Sequence, residues 1–409
     1  MDERSCVIVV ENLPVPFDRR VWQEAQALRR AGWRVSVICP ANERHPQAFE
    51  VIDDIAIYRH PLPLEARGKL AFLFEYGAAL LHEFRLLLKV ARQRGFHVIQ
   101  ACNPPDLIFL IALPFKVFGK RFVFDHHDVN PELFEAKFGR KGLLHRMLLL
   151  CERLTFASAD LVISANDTYR DIAMSRGGKA ADDVVTVYSV PDKSRIRRVE
   201  ADVDVRNGKR FVLGYVGVIG DQDGVDHMVL AVEHLVRGKG FDDFQAVIVG
   251  DGPALATARG LARSRGLDSH ITFTGYLSGD ALLRHLSAFD IGVIPDPVNA
   301  YNDKISMNKV FEYSALGIPS VAYPLSETRR LLGDAGVFAA GSAPSDLAGA
   351  CHRLLVDDAV RQRCGEAAAR LAARSFSWDR EAEKYVTAYE GLIGAAEGAR
   401  RPRESAARG

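Results

Sequence analysis

Residues 308–319, NKVFEYSALGIP, set Lys309 and Glu312 three positions apart on one helical face, ahead of a Gly-Ile-Pro stop and the short strand 320–323. A single acid near a helix start has two chemical uses. It can complement the helix dipole, or its two oxygens can accept a pair of ribose hydroxyls while the helix end faces a phosphate. The choice between them rests on what else stands at neighbouring strand ends. GYVGVIGDQDG (214–224), at the end of one strand, supplies Gly214, Gly217, Gly220 and Gly224; VGDGP (249–253) follows another, FTGY (273–276) a third and IPDP (294–297) a fourth. Small residues there let backbone amides approach a ligand closely, so Gly217, Gly220, Gly250 and the adjacent Tyr276 are candidate binding residues.

The first half has its own cluster. FDHHDVNPE (124–132) ends a strand with His126, His127 and Asp128, polar groups that core packing does not explain. The H-x-x-x-H and H-E-x-x-H spacings of metal sites are absent, so no metal is expected. Asp18-Arg19-Arg20 opens a helix, and cations at a helix N-terminus oppose its dipole. An anion would give Arg20 a reason to be there; the alternative is an ordinary surface arginine. Asn103, in ACNPPDL, ends a further strand.

The elements that must hold these residues alternate strand and helix from the start. Strands are expected at 6–10, 34–40, 56–61, 97–102, 121–128 and 161–165, with helices at 18–33, about 69–94 and about 141–157. A polar, aperiodic stretch at 191–209 reads as a linker. A second series follows, with strands at 211–217, 244–250, 271–275, 291–295 and 320–323 separated by helices. Short buried strands between helices imply parallel sheets covered on both faces. The expected architecture is α/β: two Rossmann-like, doubly wound domains at 1–195 and 205–375. A terminal helix 377–396 is expected to join the first domain, and 399–409 to form a disordered tail. Ligands of such sheets lie at the carboxyl ends of strands, which gives a cleft between the two domains as the expected site.

Composition agrees with a globular enzyme or binding protein. The chain has 409 residues, 48% of them hydrophobic, and its 53 basic and 52 acidic side chains leave a net charge of +1, which gives no reason to expect nucleic acid. Six scattered cysteines without C-x-x-C spacing read as small core residues in a reducing compartment. No apolar run reaches the roughly 20 residues of a membrane span, so a cytoplasmic protein is expected. The basic, leucine-rich stretch 139–154 reads either as a packed helix or as a peripheral contact with the inner face of a membrane.

Taken together, LRRAGWRVSVICP, ADLVISAND, VGDGP, ITFTGYLSGDALLRHLSAFDIGVIP, NKVFEYSALGIPSV and FSWDREAEKY resemble the retaining GT-B glycosyltransferases of family 4, over about residues 5–395. The resemblance implies a nucleotide-sugar donor, UDP-linked on family frequency alone, and retention of anomeric configuration. It also implies a hydroxyl acceptor (a glycan, a lipid-linked glycan or a small metabolite), and neither metal nor cofactor. It assigns Glu312 to the ribose and a histidine to the donor sugar, with His127 the better match and His126 the alternative. Three positions depart from the family pattern. Lys304 stands where a first glutamate is usual, and Val218 and Asp223 stand where an arginine and a lysine usually hold the diphosphate. Lys304 and Lys309, with Asn308 as a neutral donor, become the candidates to replace that charge. Two rival functions follow: a nucleotide-sugar epimerase of the same fold, and a degenerate member that binds without catalysis.

Overall fold

The computed structural model describes residues 4–61, 69–139, 141–192 and 195–406. The chain divides into two compact units, Met1–Tyr188 with Asp379–Gly409, and Ser189–Trp378.

Unit 1 holds strands β1 (Ser5–Val9), β2 (Arg34–Pro40), β3 (Phe49–Ile52), β4 (Ile55–His60), β5 (Val98–Cys102), β6 (Arg121–His126), β7 (Leu161–Ser164) and β8 (Val184–Thr186). They form one sheet in the order β3-β4-β2-β1-β5-β6-β7-β8. All neighbours are parallel except the edge pair β3–β4. Its helices are α1 (Arg19–Arg30), α2 (Lys69–Gln93), α3 (Phe109–Val117), α4 (Asn130–Phe138), α5 (Leu143–Ser158) and α6 (Asp167–Ser175). Strands β1, β4 and β5 are buried at every residue, as expected of mainly apolar strands covered on both faces.

Unit 2 holds β9 (Phe211–Val216), α7 (Val225–Glu233), β10 (Phe244–Val249), α8 (Leu255–Ser264), β11 (Ile271–Gly275), α9 (Gly279–Ser287), β12 (Ile291–Ile294), α10 (Asn308–Ala315), β13 (Ser320–Ala322), α11 (Ser326–Leu332), β14 (Gly336–Phe338), α12 (Pro344–Val356) and α13 (Asp358–Arg374). Its sheet is wholly parallel, ordered β11-β10-β9-β12-β13-β14.

Two sequence expectations shift. The division falls after Tyr188 rather than within 195–205, because the expected linker is hydrogen-bonded into unit 2. Arg198 Nε donates to Leu316 O at 2.7 Å, and Val199 N donates to Ser287 Oγ at 3.1 Å. The last helix, α14 (Trp378–Ala406), begins where expected but runs past 396 into the segment read as a tail, of which 407–409 lie outside the described residues. From Asp379 it belongs to unit 1. Tyr389 packs edge-on against Trp33 at 5.3 Å, and the Tyr385 and Tyr389 hydroxyls both donate to Gln100 Oε1 of β5.

Candidate functional site

In unit 2 the chain leaves β9 for β10 on one side and reaches β12 on the other, so the strand order reverses between β9 and β12. A crevice forms at the carboxyl ends of two strands that part in this way. Their pairing covers only Leu213↔Ile291 and Gly214↔Gly292. Beyond it, Tyr313 of α10 fills the wedge. Its hydroxyl accepts from Val216 N at 3.1 Å and donates towards Gly214 O at 3.2 Å, capping the backbone that the separated strands leave open. The ring lies on Gly292, where a Cβ would come within 2.4 Å of it. Tyr313 is a residue that sequence reasoning missed; the signal was Gly292, a glycine inside a strand.

The loops after β9 and β10 meet backbone to backbone. Gly217 N donates to Val249 O at 3.1 Å and Ile219 N to Asp251 O at 3.0 Å. A Cβ at Gly250, whose φ is +148°, would sit 1.8 Å from Gly217 O. Only glycine permits that approach. Gly220 N donates to Asp223 Oδ2 at 2.9 Å, so Asp223 closes the turn that follows β9. Asn302 Nδ2 bonds Gln222 O and Pro297 O, tying that turn to the loop after β12.

Lys309 reaches into the same place. Its Nζ lies 2.7 Å from Asp296 Oδ2, both side chains being buried, and 4.9 Å over the Tyr215 ring. Its Cε is 3.7 Å from where a Cβ of residue 217 would stand. Burial raises the Asp223 carboxyl above its ordinary pKa, Lys309 works against that, and Asp296 adds to it. One ammonium therefore serves two carboxylates. Val218, where the family keeps a cation, is 63% exposed. Lys304 is half-buried and donates to Ala300 O at 3.3 Å.

Met307, the N-cap of α10, makes no side-chain cap bond, no acid occupies the first turn, and Asn308 stands exposed at the first position. Glu312 is buried at the fifth position, beyond the turn where a charge complements the dipole. The dipole reading of Glu312 thereby loses its physical basis. Tyr276, after β11, is half exposed. The structure brings Gly217, Gly220, Gly250 and Lys309 together and hangs Glu312 on the same helix as Lys309.

Arg20 and His127 belong to unit 1, where they meet each other. Arg20, buried in the first turn of α1, lies 2.9 Å from Asp125 Oδ1, 3.0 Å from Glu24 Oε1 and 2.7 Å from Val187 O. Its Nε is 2.9 Å from His127 Nε2, which is itself 2.8 Å from Asp125 Oδ2. Asp125 thus supplies the anion that the position of Arg20 required. Burial alone would raise the Asp125 carboxyl, but Arg20 and His127 hold it well below the usual range. Gln100 Nε2 donates to both Glu24 and Asp125, so the cluster continues to Tyr385 and Tyr389 of α14.

His127 is turned inward by Nε2, and its Nδ1 has no partner among the described residues. Asn103 fixes the backbone around it: Oδ1 accepts from His127 N at 2.7 Å and Asp128 N at 3.1 Å, and Nδ2 donates to Asp106 and to Asp128 O. The Asn103 side chain is buried, so it positions this turn rather than lining a surface. His126 points into the core among Phe124, Phe156 and Tyr169, and burial lowers its pKa to about 3. Of the two histidines only His127 is partly exposed. Cys102, Asp125 and His127 bring possible metal-ligand atoms within 4.8 Å of one another. Arg20 already engages the carboxylate and the imidazole, and burial keeps the Cys102 thiol protonated, so this donor set does not fit a cation.

Two family models match, one in each unit: "Glycosyl transferase 4-like domain" over residues 18–188 and "Glycosyl transferases group 1" over 210–357. The 2-deoxystreptamine glucosyltransferase of Streptomyces kanamyceticus is 25% identical over 83% of this chain and 89% of its own length. The alpha-D-kanosaminyltransferase of the same organism is 28% identical over 55% of this chain, and the match spans only 59% of that relative. Among solved structures, sucrose-phosphate synthase from Thermosynechococcus elongatus superposes with a TM-score of 0.77 at 16% identity, covering 96% of this chain and 100% of that one. HepE from Anabaena, solved with UDP-glucose, gives a TM-score of 0.69 at 14% identity, covering 95% and 99%. The chain belongs to the family 4-type glycosyltransferases, and its two parallel-sheet units have the GT-B fold.

Proposed function

We propose that this protein transfers a sugar from a nucleoside diphosphate donor, UDP-linked, to an acceptor hydroxyl with retention of configuration. The observation that carries the reading is the group of loops at the carboxyl ends of β9, β10 and β12. Glycine loops meet there backbone to backbone, and α10 brings Lys309 and Glu312 to one helix. A helix N-terminus suits a diphosphate, and a buried carboxylate suits two ribose hydroxyls. The glycosyltransferase names of the sequence relatives support the same reading.

In this account the diphosphate lies over the loops of Gly217 and Gly250, where the lack of side chains allows a close approach, and Glu312 accepts from the ribose. As the bond from sugar to phosphate breaks, the charge growing on the leaving phosphate is stabilised by the N-terminus of α10 and by Lys309. Lys304 and Asn308 are the further proposed donors to it, and Tyr276 a proposed wall for the nucleotide. His127 bonds the transferred sugar through Nδ1. Arg20 acts by holding His127 and Asp125 rather than by touching phosphate. The acceptor hydroxyl attacks on the face the phosphate leaves and gives its proton to that phosphate. We assign no nucleophilic carboxylate, metal or cofactor to the reaction.

A screen of nucleotide sugars by thermal shift tests the reading, because a ligand bound only by the folded protein raises its melting temperature. A UDP-sugar that stabilises the protein and is consumed only with an acceptor supports it. Conversion of the donor alone would point to an epimerase, and no stabilisation by any nucleotide would point to a member that does not bind donor.

A further inference from the structure

Half of the exposed large apolar side chains among the described residues, ten of twenty, fall within residues 110–154 of unit 1. Helix α3 buries Phe109, Ile111, Ala112 and Phe115 and leaves Leu110, Leu113, Pro114 and Val117 outside, with Phe118 just beyond its end. Val117 and Phe118 are 84% and 78% exposed. Helix α5 buries Glu152, Thr155 and Phe156 and leaves out Leu143, Met147, Leu150 and Leu154. Those four follow the i, i+4, i+7, i+11 spacing of one helical face. The two helices are neighbours: Lys116 Nζ donates to Ser158 O at 2.5 Å, and Thr155 Oγ1 donates to Asp106 O at 2.6 Å. The core is already filled on their inner sides, so packing among the described residues of unit 1 does not account for these outer faces.

Charge says what covers them. On α5 the exposed apolar residues are interleaved with Arg146 and Arg153, and no exposed residue of α3 or α5 is an acid. Glu152, the acid of α5, points inward to Arg176 at 2.5 Å. A leucine-rich helix face studded with arginine, beside a wholly apolar one, has the chemistry of a helix lying in the plane of a lipid interface. A second copy of the chain is the competing occupant, and no acid on these faces would pair with its Arg146 and Arg153.

We infer that the outer faces of α3 and α5 dock unit 1 onto an anionic lipid bilayer, with the apolar side chains among the acyl chains and Arg146 and Arg153 at the headgroups. The inference rests on this surface alone and does not depend on the proposed reaction.

The test is flotation of the whole protein with vesicles of phosphatidylglycerol and phosphatidylcholine, and with phosphatidylcholine alone. The wild type is expected to float with the anionic vesicles and to be released by high salt. A lysine or arginine near such a surface contributes roughly fivefold in partitioning, so Arg146→Glu with Arg153→Glu is expected to lose at least about 25-fold. Met147→Asp with Leu150→Asp is expected to lose tenfold or more with an unchanged melting temperature, since both side chains are already exposed. Should that pair lower the melting temperature, Val117→Ser with Phe118→Ser takes its place. The inference is overturned if the wild type stays out of the floated fraction, or if every variant floats as the wild type does. It is equally overturned if the wild type is a dimer that the aspartate pair dissociates while vesicles bind neither protein, which would make the face a contact between copies.

Discussion

At the scale of single residues, the Lys309–Asp296 pair decides how a charge deletion must be read. Lys309→Met leaves a buried carboxylate without its ammonium, and breaking such a pair costs about 3–5 kcal/mol. Urea unfolding should show that loss in the single variant and recover most of it in Lys309→Met with Asp296→Asn; equal stability of wild type and single variant would contradict the pairing. A fall in kcat/KM on the order of 100-fold that persists in the double variant then belongs to the phosphate and not to folding. Restoring the family's cations should likewise divide. Val218→Arg projects from an exposed site, whereas Asp223→Lys removes the acceptor that closes the Gly220 turn. His126 makes a separate prediction about pH. Its folded pKa of about 3 lies below the 6.5 of an unfolded histidine, so its contribution is complete above 6.5 and is lost as pH falls towards 3. Between pH 6.5 and 5 that loss approaches about 2 kcal/mol. Arg176, His127 and Asp125 surround it electrostatically, and Glu152 and Asp106, raised by burial to about 7 and about 6, oppose the trend. A change to Phe among Phe124, Phe156 and Tyr169 should remove the histidine's part. Stability of His126→Phe relative to wild type should therefore increase from pH 7 to pH 5 in chemical denaturation, and a constant difference would contradict the assignment.

At the scale of elements, the crevice depends on two strands parting and on two loops touching. Gly250→Ala places a Cβ against Gly217 O, so the loops after β9 and β10 must separate. Nucleotide binding should be lost while the circular dichroism signal changes little; binding at wild-type strength would show that the loops do not form the site. These strand ends were legible because glycine clusters after β-branched runs report both where a strand stops and where backbone must come close. Gly217 and Gly250 are together for that reason. The partners of the charged residues were not legible. Asp296 lies 13 residues before Lys309, and Asp125 lies 105 after Arg20, so only the folded sheet brings each pair together. The edge strand β3 escaped the pattern too, because its alternating exposure leaves Phe49 and Val51 on the surface.

At the scale of the whole molecule, the residues of unit 2 fall in sequence between the two segments of unit 1. The doubly wound character of the units was readable from the repeated alternation of buried strand and helix. The boundary was less so, since a polar stretch such as 191–209 looks the same whether it is free or hydrogen-bonded along a domain. Because Tyr385 and Tyr389 satisfy Gln100 in β5, removal of residues 379–409 should unfold unit 1 and leave unit 2 able to bind nucleotide. Hydrogen exchange read unit by unit would check this, with uniform loss of protection as the contrary result. The claim on which the rest depends is that the crevice of unit 2 holds a nucleotide by its ribose through Glu312. Calorimetric titration of UDP into the wild type and into folded Glu312→Ala measures it directly. Two hydrogen bonds to a charged acceptor contribute about 2–4 kcal/mol, so the account predicts binding by the wild type and an affinity roughly 30-fold or more weaker in the variant. Equal affinity in the two proteins would contradict it.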